Sequence, residues 1–283
     1  MEEECIFDWM FLLDLHLWRI DIIIDGTRRV QLEDPNRSTP TFHPASKFSQ
    51  LEMTSSAEAP TVTAQLLTRN ADAYSLATHH AFLSKVAHST ADRAFERWLT
   101  QDFHFVVAYL KFLSTVLARV PTHVATSAAA EPLVKGFVDA IESIAQEARF
   151  FRDRAATMNI ELSYTAESMT PTTQTYLAFL DTVAREGTWA ETLVALWAVE
   201  KVYLDSWTFA AEAMPLNRPN KYDRFIRHWA NAEFARFVRW LETIANDATG
   251  PVLASGVEKV FQTVVHLEIA FWDAALQGHG EAQ

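Results

Sequence analysis

The sequence predicts an all-α protein, and three observations carry that expectation. Apolar residues recur at intervals of three and four through long stretches of chain, the period of a helix that buries one face. Glycine is scarce: there are seven, with none between Gly26 and Gly136, so the turn chemistry of a hairpin-rich β fold is missing. Beyond Pro60 the prolines are sparse, at Pro121, Pro132, Pro171, Pro215, Pro219 and Pro251, and leave room between them for helices of about two to five turns or more. No stretch alternates with the period of a strand, and no segment repeats at a fixed length.

The first 60 residues stand apart as an N-terminal extension and linker, expected to be poorly ordered. Residues 5 to 24 look membranous, but Asp8, Asp14, Arg19 and Asp21 interrupt the run, each costing about 2.5–3.5 kcal/mol at a bilayer centre, so it is not a spanning helix. The acidic start, Glu2 to Glu4, is the reverse of a secretory leader and unlike a transit peptide. Residues 26 to 60 are polar with four prolines and read as a linker, and Met53 followed by TSSAEAP resembles a conventional start. Residues 1–52 therefore read as an appendage to a helical domain over 61–283, with a strand-forming or docking extension as the alternative.

Within that domain, 62–88 reads as one helix carrying His79 and His80 as a surface pair. A second helix spans 91–119, with Phe95, Trp98, Leu99, Phe105, Val106, Tyr109, Leu110 and Leu113 on a broad apolar stripe and Asp92 in its first turn, where a carboxylate favours the helix dipole. The third, 130–157, is more polar on its outer face. Segments 171–184, 189–213, 222–246 (with a candidate break near Asn231) and 252–276 complete the bundle.

Composition narrows the function. The 283 residues can bury a sizeable core. Lys plus Arg number 24 against 36 Asp plus Glu, and the net charge of −12 disfavours a nucleic-acid or anionic-membrane surface. The scarcity of glycine removes phosphate loops and dinucleotide fingerprints. A single cysteine, Cys5, allows no intramolecular disulfide, no thiolate metal cluster and no Cys nucleophile within the bundle, which fits a reducing, cytoplasmic setting.

The informative residues are carboxylates where a core should be apolar, because a buried charge is expensive and often functional. Asp102 sits in LTQDFHFVVAYL, Glu200 in ALWAVEKVYLDSW and Glu268 in VVHLEIAFW. Each alone fits the edge of an apolar stripe; three on three separate helices point to a shared pocket. Tyr176, Tyr203, Trp229 and Trp272 lie in the same segments, as core aromatics or as pocket walls. A metal site is not expected: none of the ten histidines has Asp or Glu three positions away, the one-turn spacing of helical di-metal sites, and Asp102/His104 and His266/Glu268 point to different faces.

The run HHAFLSKVAHSTADRAFERWLTQDFHFVVAY resembles the opening of the TenA family of thiaminases II, which reads roughly H-P-F-V, a short linker, then a helix ending W-L-x-Q-D-x-x-Y-L. KYDRFIRHWANAEFARFVRWLE and EIAFWDAA resemble that family's later aromatic segment and its terminal E-x-x-F-W helix, so the likeness runs in order from about residue 62 to 276. It implies a heme-oxygenase-like helical bundle acting on aminopyrimidines in thiamin salvage, without a cofactor, and commonly assembled as a homotetramer. Carried over by position, Asp102 matches the aspartate of the Q-D motif, Tyr176 a pocket tyrosine, Trp229 an aromatic position and Glu268 the glutamate of the last helix. The family's catalytic cysteine is absent. Glu200 stands in its region, as in the glutamate-type subgroup, and Phe105 stands where many members have tyrosine.

The chemistry agrees. A 4-aminopyrimidine offers a ring nitrogen and an exocyclic amine side by side, an edge that one carboxyl group can pair with twice. Losing an amine from the 5-methylene requires a proton for the leaving nitrogen, an activated water and stabilisation of charge in the ring. The expected roles are ring-edge recognition for Asp102, proton transfer for Glu268 and water activation for Glu200, with Phe105, Tyr176, Tyr203, Trp229 and Trp272 as walls; sequence does not distinguish which glutamate is acid and which is base. The expected product is hydroxymethylpyrimidine. The alternatives are a metal-dependent oxygenase on the same fold and a non-catalytic pyrimidine-binding or regulatory protein.

Overall fold

A computed structural model describes residues 59–277, so the readings of residues 1–52 lie outside the described residues. The described residues form eleven α-helices and one 3-10 turn, without a strand. The order is α1 (Val62–Arg69), α2 (Ala71–Thr78), α3 (Ala81–Ala87), α4 (Asp92–Ala118), α5 (Thr122–Ala125), α6 (Ala130–Thr157), the 3-10 turn Ala166–Ser168, α7 (Pro171–Glu186), α8 (Trp189–Glu212), α9 (Asp223–Trp229), α10 (Ala232–Thr249) and α11 (Ser255–Gln277). The architecture is the all-α one expected, and the long helices α4, α6, α7, α8 and α11 coincide with predicted segments to within a few residues.

Residues 62–88 depart from expectation, because three short helices replace one. The Asn70 amide donates to the Leu66 carbonyl at 2.8 Å and competes with helix continuation there. His80 then restarts the chain as the N-cap of α3, its Nδ1 accepting from Phe82 N at 3.3 Å, while its Nε2 lies 3.2 Å from Asp273 on α11. His80 is thus a cap that joins two helices rather than half of a surface pair. The break near Asn231 is real: its side chain accepts from both Glu233 N and Phe234 N at 2.9 Å and caps α10. The last helix starts at Ser255 rather than 252, after Gly250 turns the chain at φ 65°.

Helix α8 is the axis of the bundle. Every residue from Thr192 to Val199 is buried, the pattern of a helix surrounded by others, and α2, α3, α9, α10 and α11 pack around it. Helix α4 packs along α6, α7 and α11. Two polar staples fix this second group. The Arg97 guanidinium donates to the carbonyls of Ala275 and Leu276 at 2.8 and 2.9 Å, tying the end of α11 to α4. Gln101 Oε1 accepts from Thr170 N at 2.9 Å and Thr173 Oγ1 at 2.8 Å while its amide donates to Ser168 O at 2.9 Å, locking the start of α7 onto the same helix.

Candidate active site

The three carboxylates singled out in the sequence stand on α4, α8 and α11 in one buried region, and each has a tyrosine beside it. Asp102 and Glu268 are 1% and 0% exposed, whereas Glu200 keeps some accessible surface. Helical spacing builds the rest. Asp102, Phe105 and Tyr109 follow one face of α4; Glu200 and Tyr203 one face of α8; Glu268 and Trp272 one face of α11.

Tyr203 donates to Asp102 Oδ1 at 2.6 Å, and Tyr176 from α7 donates to Glu268 Oε1 at 2.6 Å. The second oxygen of Glu268 is buried without a partner. Tyr109 supplies a third phenol, buried with no partner in hydrogen-bonding geometry but near enough to Glu200 to hold that carboxyl's pKa down. The rings form a continuous wall. Phe105 stacks on Tyr109 at 5.4 Å and meets Tyr176 edge-on at 5.1 Å, while Tyr203 lies 5.6 Å from both Trp229 and Trp272. The structure therefore brings together all eight sequence-predicted positions: Asp102, Phe105, Tyr176, Glu200, Tyr203, Trp229, Glu268 and Trp272.

Burial dominates the electrostatics. It raises Asp102 well above the usual carboxylate range against the opposing Tyr203 bond, with Glu147 and Glu200 adding repulsion. Burial pushes Glu200 up to about 8, with Tyr109 opposing and Glu147 adding. Glu268 also rises to about 8 by burial, opposed by Tyr176 and reinforced by Asp102 and Glu200. All three carboxyls are therefore held toward the acid form, with Glu200 and Glu268 titrating just above neutrality.

Sequence reading missed two residues here. Tyr109 was placed on the apolar stripe without a role. Glu147 on α6 lies in electrostatic reach of Asp102, Glu200 and Tyr109, and its signal was present: it falls three residues after buried Ile144 and four before buried Phe151, a core-facing register. His228, at the end of α9, stands 3.7 Å from Glu147 with its ring stacked on Phe150 at 4.3 Å. Among the described residues no three His, Cys, Asp or Glu side chains are grouped to hold a metal ion, and no helix is long and apolar enough to cross a membrane.

A cavity of about 250 Å³ abuts this region, lined by Trp98 and Phe271 along with Arg97, Gln101, Thr170 and Thr173. Phe271 also faces Phe105 and Tyr176, at 6.4 Å from each.

Known proteins resemble this chain in sequence or in structure. A Glycine max protein named "Probable bifunctional TENA-E protein" is 25% identical over 205 residues, covering 71% of this chain and 86% of its own length. The X-ray structure of a TenA homologue from Pyrococcus furiosus superposes with a TM-score of 0.66 at 26% identity, over 76% of this chain and 99% of that one. A TenA family transcription regulator from Silicibacter sp. TM1040 matches with a TM-score of 0.64 at 17% identity, over 77% of this chain and 98% of its own, which speaks to the fold alone. The two solved structures share the heme-oxygenase-like helical fold. The model of the TENA/THI-4/PQQC family matches residues 68–278, the stretch that holds all eight of the site positions named above, and the chain belongs to that family.

Proposed function

We propose that this protein hydrolyses an aminopyrimidine of thiamin salvage, releasing an amine or formylamine from the 5-methylene to give hydroxymethylpyrimidine. The observation that carries the reading is the set of three carboxyl groups on facing helices, two of them fully buried and held by tyrosines, bordered by aromatic rings. The family likeness and the relative named a bifunctional TENA-E protein support it.

Each group has a task its environment suits. Burial favours the acid form of Asp102, and a carboxylic acid presents one donor and one acceptor, the complement of the ring nitrogen and exocyclic amine. Glu268, held at one oxygen by Tyr176, keeps the other free to give a proton to the ring or leaving nitrogen. Glu200, with its remaining accessible surface, takes a proton from water as the hydroxyl oxygen forms its bond to the methylene carbon and the carbon–nitrogen bond breaks toward nitrogen. For a substrate that enters as an ammonium ion, ammonia departs with the bonding pair and then collects the proton from Glu200, leaving alcohol and ammonium ion.

Incubation of purified protein with aminomethyl- and formylaminomethyl-pyrimidine, followed by chromatography for hydroxymethylpyrimidine, tests the reading. Formation of that alcohol is expected with at least one of them, and no turnover of either overturns it. Tight binding without turnover would favour a pyrimidine-binding regulatory protein, the class named in the Silicibacter structure.

A further inference from the structure

The cavity between α4, α7 and α11 sits about one helical turn from the site residues on each helix that lines it. Trp98 precedes Asp102 by four residues, Thr173 precedes Tyr176 by three, and Phe271 follows Glu268 by three. Each wall residue therefore shares a helix face with a site residue and stands about 4.5–6 Å from it along the axis. The helices that carry the two glutamates add a direction. Tyr203 bonds Asp102, while Trp207, one turn later on α8, packs at 5.0 Å on Trp98, one turn earlier on α4, so α8 runs antiparallel to α4 here. Glu200, three residues before Tyr203, thus lies beyond Asp102 on the side away from the cavity. Glu268 lies on that side too. Arg97 holds Ala275 O, which sets α11 antiparallel to α4, and Glu268 is bonded to a tyrosine whose ring meets Phe105 at 5.1 Å. The order along the bundle is cavity, Asp102, then the two glutamates.

Hydrogen-bond accounting gives the cavity its character. Arg97 and Gln101 are bound to main-chain oxygens of α11 and of Ser168, Thr100 Oγ1 donates to Arg97 O at 2.9 Å, and the Thr170 and Thr173 hydroxyls lie 3.0 Å apart. With these polar side chains engaged inside the protein, the surfaces left for a ligand are the rings of Trp98 and Phe271 and the methyl groups of Ala274 and Ala275.

We propose that this cavity is the subsite for the group at C2 of the pyrimidine, and that it takes an uncharged, apolar group larger than the methyl that the thiamin pyrimidine carries there. The inference rests on the aminopyrimidine reading, in which Asp102 pairs with ring nitrogen N3 and the amine on C4. C5, with its reacting methylene, flanks that edge on one side, and C2 flanks it on the other. A methylene placed at Glu200 and Glu268 therefore turns C2 toward the cavity. An apolar cavity of about 150 Å³ holds a benzene-sized molecule, so about 250 Å³ leaves room for several carbons beyond a methyl.

The test is calorimetric binding at pH 7 of 4-amino-5-aminomethylpyrimidines that carry hydrogen, methyl, ethyl, n-propyl or carboxyethyl at C2. Wild type should bind the uncharged series with affinity rising about three- to fourfold per carbon through propyl, the factor expected for burying a methylene, and should bind the carboxyethyl compound more weakly than the propyl one. Ala274→Leu, which fills the cavity, should reverse the order so that propyl binds more weakly than methyl, and the smaller Ala274→Val should do so in part. A steep loss of wild-type affinity from methyl to ethyl would overturn the proposal whether or not the variants fold. An order unchanged in both variants would place the C2 group elsewhere and overturn it too, and carboxyethyl binding more tightly than propyl would overturn the apolar assignment. Binding by none of the five removes the aminopyrimidine reading and this inference with it, whereas the expected order without turnover upholds the subsite and removes only the hydrolase reading.

Discussion

Tyr203 and Asp102, 101 residues apart in sequence, meet through a 2.6 Å hydrogen bond in which the phenol donates to a carboxyl that is itself 1% exposed. The bond opposes the rise that burial imposes on Asp102, and it joins α8 to α4 at the pocket. Tyr176 and Glu268 repeat the device between α7 and α11.

Tyr203→Phe should therefore raise the Asp102 pKa further and free its carboxyl to rotate. The expected result is a KM for aminopyrimidine raised about tenfold with a smaller fall in kcat, and a loss of about 1–3 kcal/mol in stability from the orphaned carboxyl oxygen. Steady-state kinetics beside a denaturant melt would read both, and unchanged values would remove the bond from substrate positioning.

Glu200→Gln keeps shape and removes the base, so kcat should fall about 100-fold or more while KM moves little. Stability should move the other way, with a defined pH dependence. The folded pKa of Glu200 is about 8, above its ordinary value, so the folded state binds more protons than the unfolded state between the two and loses stability as pH rises through that window. Glu268 adds to the same slope. Below the ordinary carboxylate pKa the variant and wild type should melt alike. By pH 8 and above the variant should melt higher, by roughly 2–4 °C for each kcal/mol of relieved charge burial. A difference in melting temperature that is flat from pH 4 to 9 would contradict the burial-driven shift.

How much of this was legible in the sequence follows from what each residue must do to be seen. Asp102, Glu200 and Glu268 were visible because a charge inside an apolar run breaks a pattern, and their aromatic neighbours sat in the same runs. Glu147 broke the same pattern on α6 but was masked by the polar outer face of that helix. The division of 62–88 was hidden for another reason: apolar spacing continues across Asn70 and His80, and only the side-chain bonds of those two residues end the helices. Pairings such as Tyr203 with Asp102 are long-range and leave no local trace.

Gln101 should matter to activity without touching substrate. Gln101→Leu removes acceptors from Thr170 N and Thr173 Oγ1 and a donor from Ser168 O. Stability should fall by about 1–3 kcal/mol, and turnover should fall with it as α7 loosens and Tyr176 loses its aim at Glu268. Thermal melts and kinetics on Gln101→Leu and Gln101→Glu would show it, with the acceptor-retaining glutamate recovering part of the loss.

Thiol alkylation should leave turnover unchanged, because residues 59–277 contain no cysteine and Cys5 lies outside the family match. Iodoacetamide that abolished activity would overturn Glu200 as the group standing in for a thiolate.

The Arg97 clamp on α11 has a consequence for how this surface can drift over generations. The guanidinium reads the main-chain oxygens of residues 275 and 276, not their side chains, so those two positions can exchange one helix-forming residue for another without altering the separation of Asp102 and Glu268. Selection should fall instead on residue 97 itself. Lysine, a single point of charge, cannot span two carbonyls with a rigid fork, and a lineage that made that change would let the far end of the last helix fray and carry Trp272 with it.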